Sequence, residues 1–380
     1  MQVPSTDPLT HLDALSADIG PRPATSAQER AAADYIADQL GQLTDAARTH
    51  KLWAPRSPAP SVALLLLISL GGIAMFLSDL WLAAGILVFV FVLLRQELSG
   101  RGFFWQVLPR RETVNITAVL RPKEEATRRL ILACHHDSPV FGPPLAPGRI
   151  AGFRRGQRFA LFSVGLAALV GITTLLWPQP LLLILLIPSG LNIAGTLVSY
   201  ATWAVSKRSS PAAVSGAAGV AVVLAAAEEL AKEPLTRTEV TVVSTGAKEA
   251  GAHGMTHYID VFGRAFKGSP IIAVDSAGDG ELVYTTSEGF FGRVKMDPGL
   301  VSLAERTGLA RAGVNEILPS NAWTAALFGH KAIGIRAEGG EGTPPRYAMG
   351  IDEPDRVSGD ALDKAVRLVV EMARAIDAEA

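Results

Sequence analysis

LILACHHDSP, residues 130–139, is an apolar run closed by His135, a second histidine and Asp137. The run is short and ends in polar groups, so it reads as a buried strand that delivers a His-x-Asp pair at its carboxyl end. Apolar runs of strand length recur outward from it at residues 114–120, 240–244, 271–274 and 331–335. Helical spacing marks residues 217–233, 300–307 and 360–378. Ser26-Ala27-Gln28-Glu29 is a capping-box pattern opening a helix that carries Ala32, Tyr35, Ile36 and Leu40 at helical spacing. Such alternation predicts an α/β fold, a mostly parallel sheet with helices on both faces. Ligands of such sheets bind beyond the carboxyl ends of the strands. His135, Glu249 and Asp275 each fall at or just past one of those ends.

Four long apolar segments interrupt this pattern. Residues 61–77 and 80–94 flank only Ser78 and Asp79, and residues 159–177 and 181–205 flank Pro178-Gln179-Pro180. Each pair reads as a helical hairpin crossing and recrossing a bilayer, since a span takes about 20 apolar residues and about 17 at the least. Arg48, Lys51 and Arg56 precede the first hairpin, and Arg95, Arg101, Arg110 and Arg111 follow it. Arg149, Arg154, Arg155 and Arg158 precede the second, and Lys207 and Arg208 follow it, while neither tip has a Lys or Arg. The positive-inside rule then places a globular domain (1–57 with 98–157 and 207–380) in the cytoplasm. Residues 58–97 and 158–206 form its two hairpins, a multi-pass arrangement suited to an inner membrane. Pro188, ahead of Asn192, Thr196 and Ser199, predicts a kink in the fourth segment. No acidic or basic residue lies mid-span, which argues against an ion or proton pathway.

The balance of 35 Lys plus Arg against 36 Asp plus Glu gives no field that would favour nucleic acid. Cys134 is the only cysteine, so no internal disulfide is available, and its apolar surroundings read as a buried, inert thiol. The first residues lack the basic and apolar regions of a secretory signal.

Four further stretches follow the His-x-Asp: SPAAVSGAAGVAVVLA (210–225), STGAKEAG (244–251), IIAVDSAG (271–278) and RYAMGIDEPDRV (346–357). With IGPRPATSAQERAAADYIADQL (19–40) and VNITAVL (114–120), this ordered set resembles the di-zinc aminopeptidase family, which includes bacterial leucyl aminopeptidases, glutaminyl cyclase and the transferrin receptor ectodomain. The resemblance covers essentially all of the chain outside the hairpins. It implies that His135 and Asp275 stand at zinc-ligand positions, that Asp137 orients His135, and that Glu249 is the ligand following the catalytic base. It also marks three departures. Ser215 stands where the family has its bridging aspartate, Lys248 where it has the general base, and Ala348 where it has the last histidine ligand.

Two metal ions acting together need a bridging carboxylate and imidazole or carboxylate donors around each. The expectation is therefore a membrane-anchored pseudopeptidase, with no cofactor, that binds a peptide or protein partner without hydrolysis. The alternative is an active metallo-aminopeptidase with an altered site, in which zinc is held by His135, Glu249 and Asp275. His136, His253, His257 and His330 are the histidines that could replace a lost ligand, and His253 and His257 share a helical spacing.

Overall fold

A computed structural model describes residues 7–145, 148–178, 180–316, 319–339 and 343–379. The chain runs α1 (Pro8–Asp13), α2 (Ala27–Leu43), β1 (Arg48–Ala54), α3 (Ala59–Ala74), α4 (Leu80–Leu98), β2 (Arg111–Leu120), β3 (Arg128–His135) and α5 (Ile150–Leu176). It continues through α6 (Leu186–Ala204), α7 (Ala218–Lys232), β4 (Thr238–Thr245), α8 (His253–Phe262), β5 (Ile271–Val274), β6 (Glu281–Glu288) and β7 (Val294–Lys295). It closes with α9 (Pro298–Thr307), β8 (Arg311–Asn315), α10 (Asn321–Leu327), β9 (Ala332–Glu338) and α11 (Gly359–Ala378). Two compact units result: Met1–Arg56 with Arg110–Val140 and Ser209–Ala380, and Ser57–Pro109 with Phe141–Arg208.

In the first unit one sheet runs β1-β2-β4-β3-β5-β9-β6-β7, with β8 paired to β6. The inner strands β4, β3, β5 and β9 are parallel to one another, whereas β1–β2, β2–β4, β9–β6 and β6–β7 are antiparallel. The sheet is mixed, which corrects the expectation of a mostly parallel one. Strands β1 and β7 lie largely in water and carry weak apolar signals, whereas β6 is mostly buried but buries Thr285, Ser287 and Glu288 with its apolar residues. In RTHKLWA of β1 only Leu52 and Ala54 are buried. Helices cover both faces of the centre, as alternation along β3 shows. Leu130, Leu132 and Cys134 pack with Ile36, Val222 and Leu368, while Ile131 and Ala133 pack with Tyr258, Phe266 and Ala325. That buried setting raises the Cys134 thiol to about 12 and leaves it inert.

In the second unit α3 packs on α4, α4 on α5, α5 on α6 and α6 on α3, a closed ring of four. Small residues permit close approach, since a Cβ on Gly171 would stand 3.0 Å from that of Ala84. Polar pairs link α5 to α6: Gln157 donates to the Tyr200 hydroxyl, and Ser163 to Asn192 Oδ1 at 3.2 Å. These four helices are long and apolar enough to cross a membrane and leave much of their surface uncovered. A fifth helical run, Ala213–Lys232, is also long and apolar enough, but it is almost wholly buried in the first unit and serves as its core helix. Helix α5 starts at Ile150, earlier than the apolar run alone indicates, and so includes Arg154, Arg155 and Arg158. Pro188 makes no mid-helix kink. It sits in the first turn of α6, after a 3-10 stretch over Pro180–Leu185, where a missing amide costs nothing. Gln179 of the second tip lies outside the described residues.

Candidate functional site

His135, Lys248-Glu249 and Asp275 gather because β4, β3 and β5 are adjacent parallel strands in register. His135 is level with Thr245, and Ala133 with Ala273, so the chain leaves all three strands at one edge. The first turns of α7 close over that edge. Gly219 makes this possible, since a Cβ there would stand 2.7 Å from the Val274 carbonyl. Gly216, next to Ser215, faces the His135 ring at ordinary contact distance, with Cε1 3.5 Å from its would-be Cβ.

Asp137, wholly buried, is the hub of the loop contacts. Its carboxylate accepts from the backbone N–H of Lys248 at 3.1 Å and of Glu249 at 2.8 Å, and Oδ1 lies 3.3 Å from His135 Nδ1. Lys248 and Glu249 then pair with each other. The ammonium donates to Glu249 Oε1 at 2.9 Å, and the Tyr347 hydroxyl donates to Oε2 at 2.6 Å. Burial alone would discharge Lys248, but attraction to Glu249, Asp275 and Asp137 outweighs it and holds the amine above its ordinary value. The ammonium is thus charged and fixed at the centre of the candidate site.

The other wall is held by Asp352. It accepts from Val214 N at 2.8 Å, from Ser215 N at 3.3 Å and from the Ser215 hydroxyl at 2.6 Å, so it caps the short turn that leads into α7. Burial raises the Asp352 carboxyl, against the pull of those hydrogen bonds. Ala348 is buried in a left-handed conformation between Tyr347 and Met349, and contributes no polar group. Arg22 spans both walls, donating to the carbonyls of His136, Leu15, Gly20 and Pro211. Burial lowers its guanidinium to about 10, opposed by Asp137 and Asp352.

Glu29 corrects the capping-box reading. Ser26 does accept from Glu29 N, at 3.1 Å, but the Glu29 carboxyl does not return to Ser26. It accepts instead from Thr25 N at 2.6 Å and from Ala247 N at 2.9 Å, beside Lys248. Burial, then the charge of Asp137, raises it to about 8. Glu288 is buried against Thr285, Asn315 and Ser320, and burial followed by Asp275 raises it to about 7. Burial depresses two histidines, His136 to about 3 and His253 to about 4.

These shifts set a pH dependence. A raised carboxyl leaves the folded state holding a proton that the unfolded state releases, so stability falls as pH rises from about 4.5 to the folded value. A depressed histidine acts oppositely, its contribution growing as pH rises from the folded value to about 6.5. The two pairs nearly cancel between about pH 4.5 and 6.5, above which Glu29 and Glu288 dominate. At about 1.4 kcal/mol per unit for each group, the first unit should lose about 3 kcal/mol between pH 6.5 and 8. Denaturation midpoints of the purified protein across that range check this, and a flat profile would contradict it.

Among the described residues, no three His, Cys, Asp or Glu side chains form a group that could hold a metal ion. His135 Nε2 and Asp275 Oδ1 are buried without hydrogen-bond partners. His253 is buried on α8 and His257 is half-buried, and no third donor joins that pair. Sequence spacing had not singled out Glu29, Arg22, Tyr347 or Asp352 as parts of the site. Tyr347 beside Ala348 and Asp352 four residues on were visible in the motif, but their partners lie 98 and 137 residues away.

No family model matches the sequence, and no curated protein matches it. The fold has solved counterparts. An aminopeptidase from Aneurinibacillus sp. strain AM-1 is similar over 98% of this chain and 93% of its own, with TM-score 0.57 and 14% identity. A zinc aminopeptidase from Bacillus subtilis is similar over 99% and 96%, with TM-score 0.55 and 13% identity. A Bacteroides thetaiotaomicron glutaminyl cyclase bound to N-acetylhistamine is similar over 98% of both chains, with TM-score 0.55 and 13% identity. The chain therefore has the fold of the zinc aminopeptidases and glutaminyl cyclases.

Proposed function

We propose that the protein is a membrane-anchored, aminopeptidase-like protein whose site binds a peptide or protein partner without hydrolysing it. The observation that carries this is Glu249, the family's ligand position, with both oxygens already engaged by Lys248 and Tyr347. A zinc centre takes three or four protein donors. His135 Nε2 and Asp275 Oδ1 are only two, Ser215 is committed to Asp352, and the Lys248 cation opposes a second one nearby. The residues present do not fit zinc.

The two unpartnered donors, on a fold shared with zinc aminopeptidases, favour a zinc hydrolase, and metal content separates the two readings. After zinc loading, detergent-purified protein should hold well under one zinc per chain, and His135→Ala should not change that. Stoichiometric zinc lost in His135→Ala would overturn the pseudopeptidase reading.

The anchoring reading rests on α3 to α6 and on the basic residues that flank them. It predicts that a reporter inserted at Asp79, an exposed N-cap between α3 and α4, lies outside the cytoplasm. An alkaline phosphatase fusion there should be active and a fluorescent-protein fusion dark. The reverse would place the globular unit on the other side.

A further inference from the structure

A cleft of about 410 Å³ in the first unit is lined by none of His135, Asp137, Ser215, Lys248, Glu249 and Asp275, although Thr25 and Ser26 of its wall also meet Glu29. Its polar lining is Thr25, Ser26, Gln28, Arg56, Arg111 and Ser209, and its lining includes no Asp or Glu. Neighbouring cations are neutralised: Arg30 by Asp34 at 2.9 Å, and Lys51 by Glu112 at 3.1 Å. Arg56 and Arg111 are different. Among the described residues neither has an acidic partner within 4.0 Å, and strand alternation turns Glu112, beside Arg111, to the other face of β2. Two unneutralised guanidiniums from separate segments thus border one concave space, with hydroxyl and amide donors between them. The first turn of α2, 17 residues long, adds its positive end.

We propose that this cleft binds a phosphate group, that of an anionic phospholipid headgroup or of a free phosphate. Guanidinium forks match phosphate oxygens bidentately, and two of them with flanking hydroxyls form a site for a tetrahedral anion. Arg56 stands three residues before α3 and Ser209 five residues after α6. Three residues reach about 11 Å at most, so a headgroup source follows if α3 spans a bilayer. That source rests on the anchoring reading, and the site itself does not.

The test uses the full chain in neutral detergent, titrated separately with short-chain phosphatidylglycerol, short-chain phosphatidylcholine and inorganic phosphate. The variant Arg56→Gln with Arg111→Gln changes two exposed side chains, and Arg293→Gln with Arg367→Gln is the charge-matched control. Binding of phosphatidylglycerol in preference to phosphatidylcholine, weakened about tenfold or more only in the cleft variant, supports the lipid source. The same loss for inorganic phosphate alone supports the free anion. Equal binding by the cleft variant, the control and the parent, or no binding by any, overturns the proposal. The Asp79 reporter reads the anchoring independently, so the two failures are distinguishable.

Discussion

Lys248→Met should destabilise the first unit by about 3–5 kcal/mol, the range found when one partner of a buried ion pair is removed and the other is left behind. The side chain keeps its length, so the loss is of charge and not of packing. Without the ammonium, Glu249 retains only the Tyr347 hydroxyl on its carboxylate, and the cation that also attracts Asp137 and Asp275 is gone. Pairing with Glu249→Leu separates the net worth of the ion pair from the penalty of orphaning one charge, because removing both groups costs much less than removing either. A single variant within about 1 kcal/mol of the parent would mean that solvent reaches Glu249, and the internally satisfied site would lose its basis. The effect is read as a shift in denaturant midpoint at constant slope.

What the sequence revealed of this fold was its centre. Residues 130–134 are buried on both faces of the sheet, and such strands read as unbroken apolar runs with the site residue immediately after them. The same holds for Ile271–Val274 ahead of Asp275. The flanking strands were not legible, because β8 is largely exposed and β6 buries Thr, Ser and Glu side chains, so neither shows an apolar run or a clean alternation. ELVYTTSE of β6 and RAGVN of β8 resemble loops until their neighbours are known. The candidate site divides along the same line. His135, Glu249 and Asp275 follow strands and could be placed from local pattern. Arg22, Glu29 and Asp352 owe their roles to hydrogen bonds spanning more than a hundred residues, to which no local spacing corresponds. Glu29 shows how a correct local signal conceals a distant one. Its capping-box position marks the start of α2, while its carboxyl serves Ala247 in the loop that presents Lys248.

The strongest consequence of reading Ser215, Lys248 and Ala348 as replaced positions is that restoring all three should make folding depend on metal. Ser215→Asp sets a carboxylate against the Asp352 oxygen that now accepts the serine hydroxyl at 2.6 Å, turning a hydrogen bond into a repulsion. Lys248→Glu removes the only ammonium in the cluster and adds an acid beside Glu249 and Asp137. Ala348→His places an imidazole at a left-handed position, which histidine tolerates better than most side chains. Without metal the triple variant should therefore lose about 5 kcal/mol or more, since the added acids join Asp137, Glu249 and Asp352 with Arg22 left to oppose them. Zinc supplies the missing positive charge and binds the folded state alone, so at a thousandfold excess over its Kd it should return about 4 kcal/mol. The measurement is the denaturation midpoint with zinc and with chelator, read beside bound zinc per chain. A chelator-sensitive midpoint in the triple variant and none in the parent is the expected pair. If zinc leaves the triple variant's midpoint unmoved, the three positions do not correspond to metal-site positions, and the reading of this site as a dismantled metal centre fails with them.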